Sequence, residues 1–571
     1  MNSDLLQKLM VAQTDEERSW IVTENLLESL PEDVASALWA VAIPHWFDAA
    51  ILAALCPELV DRADEIYRQL QDLSCVEVFP ERGHNVHELT RNQLLDRLWQ
   101  DNPEQFRELS RKAASYFGQG NKPEIQIERI YHLVIAEPAN GRSELFNLAQ
   151  LWSNSYRKAE VESLILNLQQ HITANRVTVA VKATIIFWDG KIKFRFYQAK
   201  EALERYEAAL TFYREIGERV GEANALQEIG DVLQFLSRRT EALERYEAAL
   251  AFYREIGARL GEANTLKAIG DVLQFLSRRT EALERYEAAM AIYREIGARL
   301  GEANTLKAIG DVLQFLKRST EALERYEAAM AIYREIGARL GEANTLKAIG
   351  NVLQFLSRRT EALERYEAAM AIYREIGERV GEANALQAIG NVLQFLKRST
   401  EALERYEAAM AIYREIGERV GEANALQAIG NVLQFLKRST EALERYEAAM
   451  AIYREIGARL GEANTLQAIA VLEEDPVIGL ASSQAALNLY IEIGTKYSQA
   501  RNLNYFTSKI QLKLGQKDKA ISSLTLAAKL AQEINCQPMV DYANQKIAEI
   551  NRDSQGIRGW FNWIKTKLWK E

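Results

Sequence analysis

Three cysteines in 571 residues, Cys56, Cys75 and Cys536, cannot build a disulfide framework, and their scarcity points to a reducing compartment. Proline is almost as scarce. The nine prolines stand at 31, 44, 57, 80, 103, 123, 138, 476 and 538, so nothing between Pro138 and Pro476 forbids helix. There are five histidines, none beyond His171, which leaves the long central stretch little material for acid–base catalysis. No run approaches about eighteen uninterrupted apolar residues, so no membrane span is expected. The opening MNSDLLQKLMVAQTDEERSW lacks a basic start and a long apolar core, so no signal peptide is expected and the chain is expected to be cytoplasmic. Excess positive charge is missing too: the net charge of −10 disfavours nucleic-acid binding. No G-x-x-x-x-G-K-[ST] loop occurs. GQGNK at 118–122 has no preceding glycine at the right spacing and no following Ser or Thr.

What is present is repetition. EALERYEAA begins at 201 and recurs at 241, 281, 321, 361, 401 and 441, a period of 40 residues. Residues 361–400 and 401–440 are identical, and 281–320 differs from 321–360 only at Asp311/Asn351, Lys317/Ser357 and Ser319/Arg359. A fixed period in this range means one supersecondary unit stacked on itself, each copy burying the apolar face of its neighbour. Each repeat reads as two helices. Leu226, Ile229, Leu233 and Leu236 share one face of the first; Ala242, Tyr246, Ala249, Leu250 and Tyr253 share one face of the second. Thr240 is expected to cap the second helix, with Glu241 beside its positive end, and Gly257 is expected to close it in a left-handed turn.

The pattern Leu226, Ile229-Gly230, Leu233, Ala242, Tyr246, Ala249 resembles the tetratricopeptide signature. The 40-residue spacing, with REIG-x-R-x-GEA between copies, is similar to the longer repeats of kinesin light chains and spindle-orientation adaptors. Leu226 replaces the usual tryptophan, and the closing proline is absent. The resemblance covers about residues 160–535 and includes LKLGQKDKAISSLTLAAKLA at 512–531. It implies an all-α, right-handed superhelical solenoid of helix–turn–helix repeats, non-enzymatic, binding a peptide or helix in a concave groove.

Behind the packing face, the first helix of each repeat carries four polar residues at offsets 0, 3, 7 and 10, spanning about 15 Å on one side of the helix. They are Asn224, Gln227, Asp231 and Gln234; Asn264, Lys267, Asp271 and Gln274; Asn304, Lys307, Asp311 and Gln314. The later repeats carry Asn344, Lys347, Asn351 and Gln354; Asn384, Gln387, Asn391 and Gln394; Asn424, Gln427, Asn431 and Gln434. Amides offer donor and acceptor together, so such a ladder suits a peptide backbone. The resemblance aims this side into the groove; the bland alternative is a solvated face with Lys267 and Asp271 as an ordinary i,i+4 pair. The stripe drifts along the chain, Lys giving way to Gln and Asp to Asn. The earlier repeats are therefore expected to hold charged ligand groups, and the later ones neutral amides. Changing Asn384, Asn391, Asn424 and Asn431 to Ala is expected to spare the fold. Glu241, Glu244, Arg245 and Glu247 of the second helix read as its solvated outer face.

The first 150 residues are different. ASALWAVAIP, WFDAAILAALCPEL and ADEIYRQLQDLS read as three helices, followed by a strand at 76–79, the turn ERGHN and the helix HELTRNQLLDRLW. With FRELSRKAASYF and IERIYHLVIAEP, this resembles the winged-helix segment of STAND-type signalling ATPases over about 33–135. Residues 32–112 carry 15 acidic against 8 basic side chains, the wrong sign for a phosphate backbone. His84-x-x-His87 near Cys75 lacks the further ligands a zinc site needs, so neither metal nor cofactor is expected.

The tail SQGIRGWFNWIKTKLWKE places Ile557, Trp560, Phe561, Ile564 and Leu568 on one helix face among Arg558, Lys565, Lys567 and Lys570. An end cap, a helix for a partner's groove and a membrane-surface helix all fit. The expected organisation is an N-terminal helical segment (1–32), a winged-helix-like domain (33–135) and degenerate helical repeats (136–200). The 40-residue repeats (201–470), degenerate repeats with a cap (471–552) and the tail (553–571) follow. Two functions compete: a scaffold for a protein or peptide ligand, and the sensor of a STAND-like system with a separate ATPase or effector.

Overall fold

The computed structural model describes residues 3–568, with side chains at 7–14 and 17–552. It is an all-α succession of paired helices with a single two-stranded sheet among the described residues. Two compact units divide it, one ending at Ile296 and the other beginning at Gly297.

The first unit opens with helices Ser3–Val11 and Asp15–Ser29. Helices Glu32–Val41, Ala49–Leu55 and Ala63–Gln71 then lead into strands β1 (Val76–Phe79) and β2 (Gly83–Val86). The strands pair antiparallel, Val76 opposite Val86, and Phe47 bridges to His84 at their edge. Helices Glu88–Asp101, Pro103–Phe117 and Pro123–Ala136 follow. Each of the last two starts on a proline, whose missing N–H costs nothing in a first turn.

From Ala199 the helices become uniform. Arg219–Phe235 and Arg239–Glu255 are each 17 residues long, and this pair recurs through both units. Both helices end in the same type of turn. Gly257 has φ +67°, and Ala258 N–H donates back to the Tyr253 carbonyl at 2.9 Å. This satisfies a helix-end carbonyl in the manner expected of a glycine C-cap. The turn inside the repeat uses the same geometry without glycine. Ser237 has φ +60°, and Arg238 N–H donates to the Leu233 carbonyl at 2.8 Å. The second helix therefore starts behind Arg238, and Thr240 falls inside its first turn. The expected Thr240 cap is not formed, because only Leu236, Ser237 and Arg238 separate the two helices and Arg238 takes the cap position.

The first-helix face is buried through Leu226, Ile229 and Leu233, with Leu236 half-buried; Ala242, Tyr246, Ala249, Leu250 and Tyr253 of the second helix are all buried. Within a repeat the two helices meet in close contact at Gly230. A Cβ built there would lie 2.5 Å from the Tyr246 ring, and 2.6–2.7 Å from the equivalent ring at Gly270, Gly310, Gly350, Gly390 and Gly430. A tyrosine ring lies directly on the backbone of the first helix in every copy.

The REIG-x-R-x-GEA link has a definite role. Glu262 is 7% exposed and receives Arg254 at 2.9 Å and Arg259 at 2.5 Å. Glu342, Glu382, Glu422 and Glu462 are held alike by an arginine from the preceding helix and one from their own. A buried carboxylate is tolerated when paired in this way, and the two arginines tie one repeat to the next. Helix Gln537–Leu568 ends the described backbone; the tail face of Ile557 and Trp560 lies outside the described side chains.

Candidate functional site

The polar stripe is half-buried along most of its length, and the tyrosines explain why. Tyr253 and Tyr246 reach through the layer between the two helices. The Tyr253 hydroxyl donates to Asn224 Oδ1 at 2.7 Å, and the Tyr246 hydroxyl to Asp231 Oδ1 at 2.5 Å and Gln234 Oε1 at 3.1 Å. Tyr293 reaches Asn264 and Tyr286 reaches Asp271 and Gln274, while Tyr333 reaches Asn304 and Tyr326 reaches Asp311 and Gln314. In the next copy Tyr373 donates to Asn344, and Tyr366 to Asn351 and Gln354. Asn384 and Gln387 share Tyr413, Asn391 takes Tyr406, Asn424 and Gln427 share Tyr453, and Asn431 and Gln434 share Tyr446. Gln227 instead accepts from Thr265 of the following repeat at 3.1 Å.

The stripe is therefore neither a free ladder nor a merely solvated face. Buried phenols need acceptors, and the stripe oxygens supply them. Asn384, Asn391, Asn424 and Asn431 do not stand clear of the packing as expected, because tyrosines of the second helix reach them through the layer. The consequence is orientation. With each amide oxygen taken from behind, the –NH₂ groups of Asn224, Asn264, Asn304, Asn344, Asn384 and Asn424 make no hydrogen bond among the described residues. Asn224 also lines a cavity of about 290 Å³ in the first unit.

The charge drift is self-compensating. Lys267 pairs with Asp271 at 2.8 Å and Lys307 with Asp311 at 2.9 Å, one turn apart on the helix. The charges of these two repeats thus answer each other within the helix. At the two ends of the charged stretch the exchange is out of phase. Asp231 has Gln227 where a lysine would stand, and burial and then Glu228 push its carboxyl up to about 7. Lys347 has Asn351 where an aspartate would stand, and burial and then Lys307 lower its pKa.

A tetratricopeptide-repeat family model matches residues 190–255, 261–335 and 341–415. These segments are tetratricopeptide repeats. No curated protein matches the sequence. Among solved structures, a STAND signal-transduction ATPase with a tetratricopeptide-repeat sensor from Pyrococcus horikoshii is 13% identical, covering 79% of this chain and 67% of that one, with a TM-score of 0.49. The apo quorum sensor NprR from B. thuringiensis is 13% identical over 63% of this chain and 97% of its own, TM-score 0.45. A kinesin light chain-like protein with nearly identical repeats from Podosopora anserina is 18% identical over 34% and 95%, TM-score 0.30.

Outside the tetratricopeptide repeats, His84 Nδ1 lies 2.7 Å from the Tyr67 hydroxyl, and the His87 N–H donates to the Cys75 carbonyl. The three cysteines are free. No helix among the described residues is long and apolar enough to cross a membrane.

Two outcomes follow from the tyrosine bonds and the uncompensated aspartate. Asn391→Ala strips the one acceptor given to the buried Tyr406 hydroxyl and should destabilise by about 1–3 kcal/mol, and Tyr406→Phe in the same chain should recover most of that loss. Thermal melting of the two single variants and the double variant measures the coupling; simple additivity would remove the bond from the account. Asp231 holds its proton in the fold where the unfolded chain has already ionised, so the folded state binds more protons between about pH 4 and pH 7 and loses stability as pH rises. Asp231→Asn should abolish that component. Its melting temperature relative to the parent should climb across that window and level off above it, and a constant difference would contradict the assignment.

Proposed function

We propose that this chain is a cytoplasmic, non-enzymatic interaction scaffold that takes an extended peptide or a helix of a partner protein along the stripe. One observation carries this reading: the amide oxygens are engaged by tyrosines from within, so each repeat offers outward –NH₂ donors without an internal acceptor. A row of donors at repeat spacing complements the carbonyl oxygens of a bound chain, and fixing the amides in advance lowers the ordering cost of binding. Lys347, uncompensated by a neighbouring carboxylate, adds a positive charge to that row.

A second reading makes the chain the sensor of a STAND-like system acting with a separate ATPase or effector. The β1–β2 hairpin between helices Ala63–Gln71 and Glu88–Asp101 is the observation that favours it. A pull-down from native lysate separates the two, since an NTPase or effector among the captured proteins favours the sensor.

With the captured partner in hand, Gln387→Ala, Gln394→Ala and Gln427→Ala together test the stripe. Tyr413 and Tyr453 keep Asn384 and Asn424 as acceptors, so the melting temperature should hold. Binding should weaken by about 2–4 kcal/mol, from three neutral hydrogen bonds of about 0.5–1.5 kcal/mol each. Unchanged binding in a titration would return the stripe to a structural role alone.

A further inference from the structure

The first unit holds a second feature, away from the stripe. A cavity of about 840 Å³ opens between the β1–β2 hairpin and the helices Glu88–Asp101, Pro123–Ala136 and Lys158–Thr173. That volume is ordinary for a small-molecule site. Arg91 lies in its wall, only 7% exposed. Its Nε donates to the Pro44 carbonyl at 3.2 Å, and its Nη2 to the Ile43 carbonyl at 2.9 Å and the Tyr131 hydroxyl at 3.5 Å. These carbonyls fix the guanidinium plane without neutralising it. Among the described residues no carboxylate pairs with Arg91, and its Nη1 has no hydrogen-bond partner.

Most other ionisable side chains of the lining have bonding partners within the protein. Arg176, also buried, meets Asp96 at 2.5 Å; Arg82 meets Glu124 at 3.5 Å; Glu128 lies between His45 at 2.8 Å and His132 at 3.2 Å. Glu88 starts the helix Glu88–Asp101, where the helix dipole favours a carboxylate. Arg91 is left as a buried, cavity-lining fork with its charge unmatched, and burying a guanidinium unmatched is costly.

The shape of the demand narrows the ligand. With Nε and Nη2 of this planar guanidinium engaged, its Nη1 is left to donate to an oxyanion. A phosphate would call on further free cations, and Arg82 and Arg176 are already committed to acids. Beside this polar wall, Trp46 and Phe79 stack with centroids 6.1 Å apart, and Arg82 lies 4.7 Å over the Trp46 ring. Gln170 of the facing helix lines the cavity as well.

We propose that this cavity is a binding site for the carboxylate of a small organic acid of about amino-acid size. Arg91 takes the carboxylate, and the Trp46–Phe79 pair carries the apolar part of the ligand. The site is independent of the stripe and of any ligand bound there.

The test uses the full chain, by thermal shift and calorimetric titration at millimolar ligand. The probes are N-acetyl-phenylalanine, N-acetyl-leucine and N-acetyl-glutamine, the tripeptides Ala-Ala-Phe, Ala-Ala-Leu and Ala-Ala-Gln, and the amidated twin of each. At least one acid should bind saturably, and its amide should bind at least about tenfold more weakly. Arg91→Lys should weaken the acid by a similar factor, since an ammonium cannot reproduce the fork. Arg91 also supports the Ile43–Pro44 carbonyls, so a second variant is needed that leaves it in place. Leu166 lines the cavity and is two-thirds exposed, so Leu166→Trp should fill the space, abolish binding and leave the unliganded melting temperature unchanged. Binding of the N-acetyl acids alone supports a small-molecule source, and binding of the tripeptides as well supports a peptide C-terminus; either supports carboxylate recognition. The proposal fails if acids and amides bind equally, if Leu166→Trp binds like the parent, or if none of the acids binds.

Discussion

The array depends on a ring lying on a backbone. In each repeat a second-helix tyrosine covers a first-helix glycine so closely that no Cβ fits between them, and its hydroxyl emerges among the polar residues on the far side. Three things follow from this one contact. The helices of a pair come together at a fixed depth, since overpacking a site already in ring-on-backbone contact is costly. The buried phenol requires an acceptor, so offsets 7 and 10 of the first helix must carry oxygen, and the second helix's other tyrosine, Tyr253, asks the same of offset 0. And because those oxygens are turned inward, the amide nitrogens are left outward. Packing, hydrogen bonding and the character of the open face are thus one arrangement.

The same arrangement explains which changes the repeats have accepted. Asp and Asn both present an oxygen to the phenol, and so they exchange freely at offset 7, as Asp311 and Asn351 show. The charge that comes with Asp is answered by Lys one turn earlier, and where Asn stands Gln can replace the Lys. The exchange is incomplete at Asp231, whose carboxyl is pushed up, and at Lys347, whose pKa is lowered. A residue shift in phase at the edges of a compensated block leaves one unmatched acid and one unmatched base. No ligand is needed to explain the block itself.

Much of this was legible in the sequence because it is local and repeated. The period identified the unit, Gly257 marked a left-handed turn, and the strand at 76–79 with its turn was visible from VEVF and ERGHN. What escaped depends on distance through the layer. Nothing in the spacing of Asn224 and Asp231 reveals that Tyr253 and Tyr246 are long enough to reach them from the neighbouring helix. Thr240 looked like a cap because Ser237 gives no sign of adopting a conformation usually left to glycine. The twin arginines on Glu262 were present in the text of REIG-x-R-x-GEA, but their convergence on one buried carboxylate needs the turn between the helices to be known. Likewise the Arg91 cavity draws its lining from four elements far apart in sequence.

The claim that each repeat is locked by its glycine–tyrosine contact is tested most directly by two deletions. Removing 401–440 places Tyr446 where Tyr406 stood against Gly390, so the contact and the stripe bonds are rebuilt. Removing 401–420 places Leu426 there instead, with no hydroxyl for Asn391 and mismatched faces on either side. Circular-dichroism melting should show the first variant folded with a transition close to that of the parent, and the second with a transition lowered sharply. Equal melting of the two shortened chains would contradict the account.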